Sequence, residues 1–234
     1  TNRGRIITPL KDRFGAEIRT HYPLDLEDEV ELMLQEAAPA AEVPKHLVEV
    51  LARYTQLVRE SSAVDKRSGV SARFGIAGTE TIAASALRRA ALVGEETAVA
   101  RVCDLPGIVS TLRGKVEFEA SEEGREVEVL AHLLRRSIAD VFRHHLAASD
   151  LSGLISRFEE GEHVVTGELV PAATLLREVG RFDGLARVMA LLGMEGEESP
   201  GLAAAAVEFA LEGLWLNRRL AKDEIDGRTV YGPA

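Results

Sequence analysis

Gly124-Arg125-Glu126-Val127-Glu128-Val129-Leu130-Ala131-His132-Leu133-Leu134-Arg135-Arg136-Ser137-Ile138-Ala139-Asp140-Val141 holds the longest regular pattern in the chain. Val127, Ala131, Leu134, Ile138 and Val141 step by four and three, the spacing that brings apolar side chains onto one face of an α-helix. The pattern predicts a helix from just after Gly124 to about Ala148. It spans only about three heptads, so it reads as one member of a helical bundle rather than a coiled coil.

The same period recurs on both sides. Leu26, Val30, Met33 and Ala37 share one helical face, with acids opposite. Pro44 suits a first helical position, and Leu47, Val50, Leu51, Tyr54, Leu57 and Val58 then form an apolar stripe. A further helix is expected from near Ser71 to Gly94 through Ile82, Ala86 and Ala90. Gly75 and Gly78 weaken its first turns by about 1 kcal/mol each relative to Ala. Residues 99–112 form a shorter segment interrupted by Pro106-Gly107. Residues 151–158, 171–179 and 185–192 read as short helices, and 195–201 as a polar linker. A last helix is expected from about Leu202 to Ala221, carrying Val207, Leu211 and Leu214 with Trp215 nearby. The tail after Asp223 is expected to fray.

Strand signals are few. Ile18, Thr20 and Tyr22 alternate within residues 16–22, and Pro23 closes that run. Val116 and Phe118 alternate briefly, and Val164-Val165-Thr166 is shorter still. A lone strand leaves backbone donors and acceptors without ladder partners. If residues 16–22 belong to a sheet, its other strands are expected upstream of Thr1. The expected class is therefore mainly α, with a remnant strand of a truncated α/β core at the N-terminus.

Composition narrows the function classes. Hydrophobic residues make up 46% and charged residues 28%, a balance that argues against disorder over most of the chain. The net charge of −10 argues against a free-standing nucleic-acid binder, which carries a basic face. The single cysteine, Cys103, excludes an internal disulfide and a cysteine-based zinc site, and reads as a small buried residue. No apolar run reaches the roughly 18 residues of a membrane span, and no secretory pattern opens the chain. A cytoplasmic location is the expectation.

Two short motifs carry chemistry. The first is Leu10-Lys11-Asp12-Arg13-Phe14-Gly15, placed just before the run 16–22. The second is Gly69-Val70-Ser71-Ala72-Arg73, at the expected start of a long helix, where Ser71 can accept a backbone N–H bond as a cap. Together they resemble the C-terminal part of AAA+ ATPases of the magnesium chelatase subunit I / MoxR-like family. The resemblance has recognisable motifs over residues 1–100 and is loose from 101 to 234.

It implies three segments. Residues 1–24 are the end of the AAA+ core, 25–112 a helical lid, and 113–234 a helical C-terminal extension. Arg13 matches the arginine finger, which acts in trans on ATP held by the neighbouring subunit; a planar, always-charged guanidinium suits γ-phosphate oxygens. Arg73 matches the sensor 2 arginine, which reads the nucleotide of its own subunit. The resemblance further implies ATP and Mg²⁺ as cofactors of the intact protein and self-association in a ring, hexameric by family. It also implies a von Willebrand A domain protein as partner, with remodelling or metal insertion as the work done. No Gly-x-x-x-x-Gly-Lys-Ser/Thr occurs and no apolar run ends in paired acids, so this chain alone is expected neither to bind ATP tightly nor to hydrolyse it. The alternative is a non-enzymatic, all-helical interaction module in which Arg13 and Arg73 are incidental.

Other clusters read as structural. His132, His144 and His145 share one expected helix but lack His-Glu-x-x-His spacing. Asp25, Glu27, Asp28, Glu29 and Glu31 crowd a helix start, where acids complement the dipole. Arg135-Arg136 and Arg218-Arg219 read as solvated helix faces or subunit contacts.

Overall fold

The computed structural model describes residues 12–16, 18, 20–146, 151–179 and 184–234. Leu10 and Lys11 of the first motif lie outside the described residues, as do Glu17, Arg19 and the expected helix end at Ala148.

The first three helices are α1 (Leu26–Glu36), α2 (Lys45–Glu60) and α3 (Arg73–Val93). Helix α2 is the hub of this half. It packs on α1 and α3, and its Leu47, Val50, Leu51, Tyr54, Leu57 and Val58 are all buried, as the apolar stripe requires. Gly78 of α3 faces Leu51 at a distance that leaves little room for a larger residue, and Gly75 faces Met33 and Thr55. These two glycines weaken α3 locally and let it approach its neighbours closely. Gly94, at φ +73°, ends α3 in the left-handed region.

A 3-10 turn (Val102–Gly107) and the short α4 (Ile108–Arg113) follow, so Pro106-Gly107 splits the segment as expected. Helix α5 (Glu126–Leu146) packs along α2 and α9. Its buried residues are Leu130, Leu133, Leu134, Ser137, Ile138, Val141, Phe142 and Leu146. The stripe read in sequence therefore holds at Leu134, Ile138 and Val141 but not at its start: Val127 is 49% exposed and Ala131 only partly buried. Leu133 and Phe142 bring more apolar surface than Val127, and the helix turns to bury them.

The C-terminal region holds α6 (Ser152–Glu159), β1 (Val164–Thr166), α7 (Ala172–Val179), α8 (Leu185–Leu191) and α9 (Pro200–Leu216). It closes with β2 (Leu220–Ile225) and β3 (Arg228–Pro233). Pro200 opens α9 at a position where no intrahelical N–H is needed. The sheet order is β1-β3-β2, antiparallel throughout, with Val164 opposite Tyr231 and Lys222 opposite Tyr231 on the other side.

Three expectations are corrected. The last helix stops at Leu216 rather than near Ala221, because Arg218 turns the chain at φ 59° and β2 begins two residues later. The tail is not frayed: Asp226 (φ 52°) and Gly227 (φ 72°) form a two-residue hairpin turn whose twist suits the paired strands. No strand is present at Ala16, Ile18 or residues 20–22, since no described residue supplies a ladder partner there. Tyr22 is held instead by side-chain contacts. Its hydroxyl accepts the Val70 N–H at 3.1 Å, and the Arg59 guanidinium lies 4.1 Å over its ring.

One hydrophobic cluster runs from Val30 to Tyr231, and the packing of α2 on α5 crosses residue 112. No helix among the described residues is long and apolar enough to cross a membrane.

Candidate functional site

Arg73 is the first residue of α3. Its N–H donates to Ser71 Oγ at 3.2 Å, and the Phe74 N–H donates to the Ser71 carbonyl at 2.9 Å. Ser71 thus caps the helix as its position in the sequence suggested. The Arg73 side chain is exposed and makes no ion pair with a described residue, in a chain where many arginines are paired.

Arg73 and Ser71 edge a groove between the start of α3 and α1, whose opposite wall carries Asp28, Glu31 and Glu36. The guanidinium and the helix N-terminus both attract anions. The three carboxylates of α1 in the same groove repel them. Arg13 lies in an exposed turn and lines none of the principal clefts, nor does any of them bring it to Arg73. Among the described residues, no three or more His, Cys, Asp or Glu side chains are arranged to hold a metal ion. His145 pairs with Glu49 of α2, and the His144 ring meets His145 edge-on at 4.9 Å.

The most elaborate polar constellation lies elsewhere. Arg89 of α3 is 1% exposed and donates to Glu95 (2.9 Å), to the Val99 carbonyl (2.6 Å) and to both oxygens of Asp104. Asp104 also accepts from the Arg101 N–H (2.9 Å) and the Ser85 hydroxyl (3.0 Å), which holds the 3-10 turn on α3. Glu95 in turn accepts the Ala172 N–H at 2.6 Å, at the start of α7. Burying such charges is costly unless each is paired, and here most are.

Arg101 extends the network toward α9. It is fully buried, and its Nη2 donates to the carbonyls of Gly167 (3.1 Å) and Val170 (2.8 Å). Its Nε stands 3.5 Å from Glu208 Oε1, too poorly aligned for a hydrogen bond, so Oε1 has no hydrogen-bond partner. Glu208 Oε2 accepts the Cys103 N–H at 3.2 Å. Burial pushes the Glu208 carboxyl above its usual range, with the Arg101 charge working against the rise. Cys103, expected from sequence to be buried, is only partly so as a residue, yet burial of its thiol pushes it up and Glu208 adds to the rise.

One helical turn further along α9, Glu212 accepts from Lys222 Nζ at 2.7 Å and from the Tyr231 hydroxyl. The Lys222 ammonium lies 4.5 Å from the Trp215 ring centre and 5.7 Å from that of Tyr231. Burial and the neighbouring Glu212 charge both push the Tyr231 phenol well above its ordinary value. Glu208, Glu212, Trp215, Lys222 and Tyr231 line a cleft of about 640 Å³ between α5, α9 and the hairpin. None of them stands out in the sequence as a site residue. The available signal was a pair of glutamates one turn apart in a helix otherwise apolar on every side.

Compared with models of known protein families, with characterised proteins and with solved structures, the chain matches none.

Proposed function

We propose that the chain is the C-terminal part of a AAA+ ATPase of the magnesium chelatase subunit I / MoxR-like kind, which couples ATP hydrolysis to remodelling of, or metal insertion into, a partner. The observation that carries this reading is Arg73. It stands at the capped first position of a long helix packed along one side on α2, sixty residues after Arg13, with its side chain exposed beside the helix N-terminus. A sensor arginine needs that arrangement: a rigid helix behind it and a free charge in front.

In this reading Arg73 contacts the γ-phosphate of ATP bound to its own subunit. Arg13, on an exposed turn, reaches the ATP of the next subunit in a ring, which the family resemblance makes hexameric. ATP supplies the transferred phosphoryl group, and Mg²⁺ held outside these residues neutralises it. Arg13 offsets the charge that develops in transfer, and Arg73 couples nucleotide to the position of the helical lid. The partner is a von Willebrand A domain protein, and the working location is the cytoplasm.

The test joins this chain to the nucleotide-binding half that the reading requires. Arg13→Ala is expected to lower ring-stimulated turnover by about 10³-fold with nucleotide affinity retained. Arg73→Ala is expected to weaken both ATP affinity and turnover. Unchanged turnover in Arg13→Ala refutes the finger, and unchanged affinity and turnover in Arg73→Ala refute the sensor. One observation favours a second reading, a non-enzymatic helical interaction module: the carboxylates of Asp28, Glu31 and Glu36 face Arg73 and oppose an arriving phosphate. Full activity in both variants would leave that reading standing.

A further inference from the structure

We propose that the cleft between α5, α9 and the β2–β3 hairpin binds a small alkylammonium ligand, with Glu208 and Glu212 as counter-charges and Trp215 and Tyr231 as walls. The site stands apart from the ATPase reading, since neither Arg13 nor Arg73 belongs to it.

Charge selects the ligand class. The lining carries five carboxylates, Glu168, Glu208, Glu212, Asp223 and Glu224, against Arg135 and Lys222; Glu168 and Glu208 also pair with Arg88 and Arg101 outside it, which leaves one carboxylate in excess. Such a cleft repels anions and concentrates cations. Geometry then distinguishes an organic cation from a metal ion. The walls are aromatic faces next to carboxylates, which suit an ammonium, and the described residues contain no metal-holding group of His, Cys, Asp and Glu.

The protein already shows what the cleft accepts. The Lys222 ammonium sits against the Trp215 face, near the Tyr231 ring and bonded to Glu212, so the chain supplies its own alkylammonium. That occupant can leave. Its side chain is 22% exposed, and it stands on β2, an edge strand paired only with β3. Deeper in the same lining, Glu208 is 1% exposed and keeps one oxygen without a hydrogen bond. Its only contact there is the misaligned Arg101 Nε at 3.5 Å, and an incoming N–H donor with better alignment completes the bonding of that oxygen. The cleft, at about 640 Å³, has room for a ligand of that size.

The experiment uses the 234-residue chain and the fluorescence of Trp215, its only tryptophan, which lies in the wall of the cleft. The probe is 1,4-diaminobutane at fixed ionic strength, with 1,4-butanediol as the uncharged control. Saturable change with the diamine and none with the diol is expected. Glu208→Gln, checked for folding by circular dichroism, is expected to weaken binding by about tenfold or more. Lys222→Gln removes the internal competitor and is expected to tighten binding of the diamine several-fold, with the diol still giving no response. That variant decides the matter if Glu208→Gln fails to fold. Nα-acetyl-lysine amide forms a second arm: tighter binding than the diamine assigns the cleft to a polypeptide lysine, and weaker binding to a free amine. Absence of saturation, an equal response to the diol, or weaker binding in Lys222→Gln overturns the proposal.

Discussion

Gly213→Ala separates packing from propensity at the closest approach of α9 to α5. A Cβ built on Gly213 would lie 2.5 Å from Phe142 Cε2 and closer still to Cδ2 and Cγ. Ordinary carbon–carbon contact is about 3.5–4.0 Å, so the ring must retreat by more than about 1 Å. Phe142 is 4% exposed, with the Phe209 ring 6.2 Å away, and the retreat disturbs a filled interior. Overpacking of this kind costs about 1–3 kcal/mol, and contact this close belongs at the upper end. Alanine gains about 1 kcal/mol over glycine in a helix interior, which offsets part of it. The net expectation is a loss of roughly 2 kcal/mol, or a Tm lower by about 4–8 °C for a chain of this size. Thermal unfolding followed by circular dichroism measures it. Phe142→Leu in the Gly213→Ala background removes the ring and is expected to recover part of the loss through a coupling energy of about 0.5–3 kcal/mol. A Gly213→Ala protein as stable as the parent, or more so, refutes the close packing of α9 on α5.

Two further perturbations act on buried charge. Arg59 holds the fully buried Glu29 through bonds of 2.5 and 2.9 Å, so Arg59→Met is expected to cost about 3–5 kcal/mol in urea unfolding by leaving that carboxylate unpaired. Arg59→Met combined with Glu29→Gln is expected to recover much of it, and a silent Arg59→Met would show that the pair carries no weight. His46 is buried against Phe209 with neither ring nitrogen hydrogen-bonded; burial, aided by the His145 charge, lowers its pKa from 6.5 to about 3. The unfolded chain therefore binds the proton first, and the contribution of His46 to stability, present above pH 6.5, is lost as pH falls toward 3. The loss amounts to roughly 4–5 kcal/mol. His46→Leu is expected to flatten that part of the stability profile relative to the parent, and identical profiles would place a charged His46 in the folded core.

Helical periodicity made the bundle legible wherever a helix has one wet face. Leu47 to Val58 marked α2 correctly, and Ser71 and Gly94 marked both ends of α3. Reading failed where local pattern was outvoted. The stripe read from Val127 holds at Leu134, Ile138 and Val141 but not at its start: α5 is pressed by α2 on one side and α9 on the other, and it buries Leu133 and Phe142 while Val127 stays exposed. The hairpin was missed although Asp226-Gly227 is a strong turn signal, because charges at Lys222, Asp223 and Glu224 hide the alternation of an edge strand. Arg73 was legible as a helix-start residue, but the acids facing it come from α1, and only the folded chain brings them together.

The charges inside the molecule follow a different logic, and α9 shows why. A helix with solvent on one side can place glutamates there at no cost, and Glu208 and Glu212 at a spacing of four look like such a pair. But α9 is apolar on every side, and Ala204 through Leu214 are all buried. A helix of that composition has no wet face, so both carboxylates must go into the core with it. Glu212 meets that demand with Lys222 and Tyr231, contributed by the hairpin that follows. Glu208 meets it only in part, through the Cys103 N–H and a misaligned Arg101. The two glutamates share a helix and a burial class and differ in how completely they are satisfied. That difference makes the Glu208 end of the cleft the place where an added donor changes the energy most.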